Sequence, residues 1–121
     1  MRGVGTVLLL GLAACGGERR ATPGPLALRI EPAASATRLV LTAAPGWKIN
    51  ARVKPALETT EGTILRFDSV HLTPDSAYFA DAPSATVPGR PEAVRGTLRA
   101  SVCAAGERLC RVVSFAVRGE R

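Results

Sequence analysis

Val94–Val117, VRGTLRASVCAAGERLCRVVSFAV, carries the clearest alternation in this chain of 121 residues, and the rest is read outward from it. On its first arm Val94, Leu98, Ala100 and Val102 alternate with Arg95, Thr97, Arg99 and Ser101. On its second, Leu109, Val113, Phe115 and Val117 alternate with Cys110, Val112, Ser114 and Ala116. Period-two alternation on both sides of a Gly-containing loop is the pattern of an antiparallel hairpin with one buried face.

The pattern also selects a register. With Cys103 opposite Cys110, Ala100 faces Val113, Leu98 faces Phe115 and Gly96 faces Val117, so the apolar positions meet on one face. A slip of one residue sets apolar positions against polar ones. The favoured register puts both sulfurs directly across from each other on the face away from the core, within bonding distance.

Residues 1–14 read as a signal peptide. Arg2 supplies the positive n-region, and Val4–Leu12 an apolar h-region too short to span a bilayer as a mature helix. Leu12-Ala13-Ala14-Cys15 looks like a bacterial lipobox, which implies cleavage before Cys15 and diacylation of its sulfur. The mature chain then begins at Cys15 outside the cytoplasm, where disulfides persist. Cys103 and Cys110 are left to pair with each other. Gly16, in the place of an Asp, favours the outer membrane over the inner, with the domain facing the periplasm. Residues 15–25 are the lipidated N-terminus and a Gly- and Pro-containing tether.

Residues 26–121 make one small domain. Turn signals interrupt it nearly every ten residues, and the expected strands are Leu26–Ile30, Thr37–Ala43, Trp47–Val53, Thr63–Phe67, Ser69–Leu72, Val94–Val102 and Leu109–Val117. Strands of that length and spacing predict an all-β, antiparallel β-sandwich. A two-residue Pro45-Gly46 hairpin would set Leu41 opposite Asn50, on the wrong face. Either a bulge intervenes or the flanking strands belong to different sheets. With one Trp, one Tyr and three Phe, the core must rely on Leu, Val and Ala, and Trp47 is the expected aromatic anchor. Thr73–Pro91 holds four prolines, which rule out a central strand there. Tyr78 and Phe79 stand in this stretch, either pinning the loop to the sandwich or forming a cap or partner-contact surface.

Little catalytic equipment is present. His71 is the single histidine, and a zinc site would need it to join Cys103, Cys110 and a carboxylate across a cysteine spacing wider than a zinc knuckle's. No metal and no cofactor is expected. The net charge of +6 is spread along the chain without interleaved aromatics, so nucleic acid is not an expected partner. The cysteine pair is what offers chemistry. It is either a structural staple or a redox pair, and the second role needs an accessible sulfur and a stabilised thiolate. Arg99, Arg108 and Arg111 lie near it in sequence.

Two stretches resemble the N-terminal periplasmic domain of the thiol:disulfide interchange protein DsbD and its stand-alone relatives, the disulfide bond corrector domains. One is Ala44-Pro45-Gly46-Trp47-Lys48-Ile49-Asn50-Ala51 with Lys54-Pro55 following, similar to the family's PGWHIN-type strand. The other is Gly96-Thr97-Leu98-Arg99-Ala100-Ser101-Val102-Cys103, with Cys110 and a last strand behind it. The resemblance implies an immunoglobulin-like sandwich in which Cys103 and Cys110 exchange disulfides. It also implies thioredoxin-like periplasmic proteins or a membrane electron transporter as partners, and an aromatic-bearing loop over the pair. The chain departs from the family in Lys48, where relatives carry His, in one extra residue between the cysteines, and in the absence of a Pro soon after Cys110. The other expected role is a non-enzymatic envelope binding or assembly module, held by a structural Cys103–Cys110 disulfide.

Overall fold

The computed structural model describes residues 24–106 and 109–119. The predicted signal peptide, Cys15 and most of the tether lie outside them, as does Arg108. Eight strands, β1 (Leu26–Ala33), β2 (Ala36–Ala43), β3 (Trp47–Ile49), β4 (Ala56–Thr59), β5 (Ile64–Arg66), β6 (Ser84–Pro88), β7 (Arg95–Ala104) and β8 (Cys110–Arg118), build two antiparallel sheets.

The smaller sheet runs β1-β2-β6. In the larger, β7 is the axis. β8 follows one of its edges from Arg95↔Arg118 to Cys103↔Cys110. The other edge is shared by β3, paired at Val102–Ala104, and β4, paired at Gly96–Arg99, with β5 outside β4. The two sheets pack as an immunoglobulin-like sandwich. The register of the last hairpin is the one its alternation selects, with Leu98 opposite Phe115 and Ala100 opposite Val113.

The Pro45-Gly46 ambiguity resolves toward separate sheets, since β2 belongs to the small sheet and β3 to the large one. The Trp47 N–H donates to the Ala44 carbonyl at 3.0 Å, and Gly46 has φ +87°. That is a type II turn with Pro at its second position and Gly at its third, where φ must be positive. It carries the chain across the sandwich.

Three elements differ from the sequence expectation. The strand expected over Trp47–Val53 stops at Ile49. Asn50 Oδ1 accepts the N–H groups of Arg52 and Val53, an Asx-type turn that lifts the chain off the sheet and leaves Val53 exposed. The chain returns after Pro55 as β4, whose Ala-Leu-Glu-Thr sequence has weak β propensity and gains its ladder from β7 and β5. Ser69–Leu72 is not a strand. It makes only the isolated bridge Leu72↔Phe79, and Val70 is 88% exposed. In the proline-rich stretch, β6 lies at the edge of the small sheet, the position prolines permit.

The core between the sheets is aliphatic, as the composition requires. Leu26, Leu39 and Leu41 of the small sheet meet Leu57, Leu98 and Val102 of the large one, with Phe67 and Phe79 filling the loop side. Trp47 is half-buried and packs against this cluster from its rim. Among the described residues no helix is long and apolar enough to cross a membrane.

Candidate functional site

The Ala104 N–H donates to the Leu109 carbonyl, and at the far end the Gly119 N–H donates to the Val94 carbonyl. Both belong to the same alternation, so even-numbered residues of β7 form the hydrogen-bonded pairs with β8. Cys103 and Cys110 therefore occupy a non-hydrogen-bonded pair, the kind in which opposed side chains approach most closely. They form a disulfide with a Cα–Cα distance of 3.9 Å.

The two sulfur-bearing residues meet different surroundings. Cys103 lies on the inner of the two strands, flanked by β3 and β8, and is 1% exposed although it points away from the core. Cys110 lies on the edge strand and is exposed. Two rows of side chains cross the outer face here. Lys48, Cys103 and Cys110 form one, because Lys48 pairs with Cys103 across β3 and β7. Tyr78, Asn50, Ser101 and Val112 form the next, through the bridge Asn50↔Tyr78 and the hydrogen bond from the Asn50 N–H to the Ser101 carbonyl.

Tyr78 and Phe79 point to opposite faces. The Phe79 N–H donates to the Ile49 carbonyl, and the Phe79 ring enters the core at 9% exposure. Tyr78 stays half-buried on the outer face, where the Lys48 ammonium sits 5.0 Å from its ring centroid. The Tyr78 ring thus stands one row from the disulfide and holds the lysine that faces Cys103. This contact draws the ammonium towards the loop.

Two of the three arginines near the pair in sequence are engaged elsewhere. Arg111 turns to the other face, its guanidinium carbon 4.9 Å from the Trp47 ring centroid. Arg99 shares the outer face but pairs with Glu58 at 3.9 Å. Arg108 lies outside the described residues. His71 is exposed, its Nδ1 2.6 Å from Asp81 Oδ2. Among the described residues no three His, Cys, Asp or Glu side chains converge as metal ligands.

Sequence reasoning passed over one feature of this surface. Val112 falls in the polar half of its strand's alternation, and it is 68% exposed, as is Leu109. Val112 thus stands beside Cys110 on the outer face, while Leu109 meets solvent from the opposite side of the strand. An apolar residue at an outward strand position was the signal.

Fold and site together define an immunoglobulin-like sandwich with an asymmetric cross-strand disulfide, one sulfur-bearing residue buried and one exposed. No protein-family model, curated protein or solved structure matches the chain.

Proposed function

We propose that this chain is a periplasm-facing lipoprotein, anchored through Cys15, whose sandwich domain exchanges disulfides through Cys103 and Cys110. The carrying observation is the exposure asymmetry. Exchange requires one attackable sulfur and a leaving sulfur that stays with the protein, and Cys110 and Cys103 meet those needs in turn. A partner thiolate attacks Cys110 Sγ, and the bond to Cys103 breaks with its electron pair leaving on Cys103 Sγ. A second thiolate of the partner then attacks the partner's own sulfur in the mixed disulfide and releases Cys110. The domain gains two electrons and two protons, and the partner leaves as a disulfide. In the reverse direction the reduced pair delivers those electrons. Thioredoxin-like periplasmic proteins and a membrane electron transporter are the partner classes for the two directions, and the outer membrane is the favoured anchoring site.

Trapping separates the roles. A Cys103→Ser chain, incubated with a thioredoxin-like protein that lacks its resolving cysteine and carries its remaining one as a mixed disulfide with thionitrobenzoate, should release thionitrobenzoate and accumulate a mixed disulfide on Cys110, whereas Cys110→Ser should not. Equal trapping by both variants, or by neither, contradicts the assignment.

A second reading draws on the burial of Cys103. A residue so enclosed, bonded at the mouth of the longest hairpin, is well placed as a staple in a binding or assembly module that uses no chemistry. A pair that resists dithiothreitol in the folded chain supports that reading.

A further inference from the structure

β8 is the outer strand of the large sheet, and among the described residues nothing pairs on its far side. The same alternation that puts Cys103 and Cys110 in a non-hydrogen-bonded pair turns the backbone N–H and C=O of Cys110, Val112, Ser114, Ala116 and Arg118 outward. These groups present a ready ladder. β8 is free of two devices that usually blunt an edge, since Cys110–Arg118 holds no proline and no bulge interrupts its pairing with β7.

We infer that β8 is a docking edge for an extended, cysteine-bearing segment of a thiol protein, which adds as an antiparallel strand with its cysteine opposite Cys110. The inference rests on the exchange reading above and names the partner's form. On the free edge Cys110 is a hydrogen-bonding position, so a residue placed opposite it lies about 5.5 Å away between Cα atoms. That spacing falls within the range of disulfide bridges. Directly opposed residues share a face, so the incoming sulfur arrives beside Cys110 Sγ on the outer side. A mixed disulfide can then form without displacing either strand.

The surroundings fix the chemistry of the segment. Val112 lies opposite the residue two before the incoming cysteine, and its exposed side chain, on the same face as Cys110, takes an aliphatic partner there. Arg111 lies opposite the residue immediately before the cysteine, which selects Asp or Glu. From Cys110 to Arg118 the edge carries two arginines and no acid. Pairing β8 with a second copy of itself would bring four arginines to one seam, so a foreign segment of the form aliphatic–acidic–Cys is the better complement.

The probe is a short, capped Val-Glu-Cys peptide in a strand-forming context, its cysteine carried as a mixed disulfide with thionitrobenzoate. The full chain in detergent is first reduced with dithiothreitol and its thiols are counted. Cys110 then attacks the peptide sulfur and thionitrobenzoate leaves. Cys103 attacks Cys110, the peptide departs as a thiol, and the chain regains its disulfide. N-methylation two residues before the cysteine removes an N–H aimed at β8; N-methylation three residues before it removes one aimed away. The first should slow thionitrobenzoate release about fivefold or more and the second should not, the loss expected for one hydrogen bond. Replacing the peptide Glu by Lys should slow release as well. Ser114→Pro, which deletes an outward N–H and spares the β7 ladder, should act like the first methylation while the melting transition reports the fold. Equal rates for both methylated peptides overturn strand docking and leave exchange standing. Failure of the Cys103–Cys110 pair to reduce in the folded chain overturns both.

Discussion

Cys103 and Cys110 are bonded across β7 and β8, but only Cys110 meets solvent. The difference comes from strand order. β7 has neighbours on both sides and β8 has one, so equivalent positions on the same face differ in cover. In a reduced chain Cys110 should react with iodoacetamide at least about tenfold faster than Cys103, because alkylation follows accessibility and thiolate character. Mass spectrometry of peptides from timed samples measures the ratio, and comparable rates would remove the basis for assigning separate roles.

The bond also contributes stability, whichever reading holds. Closing so short a loop is worth about 2.5 kcal/mol in the chain-entropy view. Replacing both Cys103 and Cys110 by Ala should lower the unfolding free energy by about that amount, as urea denaturation would measure. An unchanged midpoint would mean that the β7–β8 ladder holds itself.

Gly96 lies opposite Thr59 in the ladder between β7 and β4. A Cβ built there collides with the Glu58 carbonyl oxygen and falls 2.8 Å from Thr59 Cα, both backbone atoms that cannot turn aside. Gly96→Ala should therefore destabilise the fold by about 2–3 kcal/mol, the upper part of the overpacking range. A loss under about 0.5 kcal/mol, within the usual range for surface changes, would show that β4 shifts freely.

Lys54 Nζ lies 2.8 Å from Asp68 Oδ2, and this hydrogen bond, with the Ser69 N–H, holds the Asp68 carboxyl below its ordinary value of 3.8. A carboxyl depressed in the folded state adds stability above its unfolded value, lost as pH falls through the folded one. Lys54→Met should raise the Asp68 titration midpoint seen by NMR. Its small stability deficit at neutral pH should vanish in acid, and salt should shrink it for so exposed a pair. An unmoved midpoint contradicts the ion pair.

The last hairpin was legible because one face is buried along its length, so the apolar pattern of Leu98, Ala100, Val113 and Phe115 fixes the register. β4 was not legible, because Ala56–Thr59 owes its ladder to a distant strand, and the turn made by Asn50 that frees it is a side-chain event. Ser69–Leu72 misled because apolar residues alternate there without a neighbour to cover Val70. For the site, the opposition of the two cysteines followed from alternation. The exposure of one and burial of the other followed from strand order, which no local pattern encodes. An aromatic cap over the pair was expected from Tyr78 or Phe79 without a means to choose between them; the chain sends the Tyr78 ring outward and the Phe79 ring into the core.

The reduction potential of the Cys103–Cys110 pair in the folded chain, measured by equilibration with glutathione, tests the central claim most directly. Exchange predicts a value among those of thiol–disulfide exchange proteins, about −270 to −120 mV, and a value below about −300 mV, where structural disulfides lie, would contradict it.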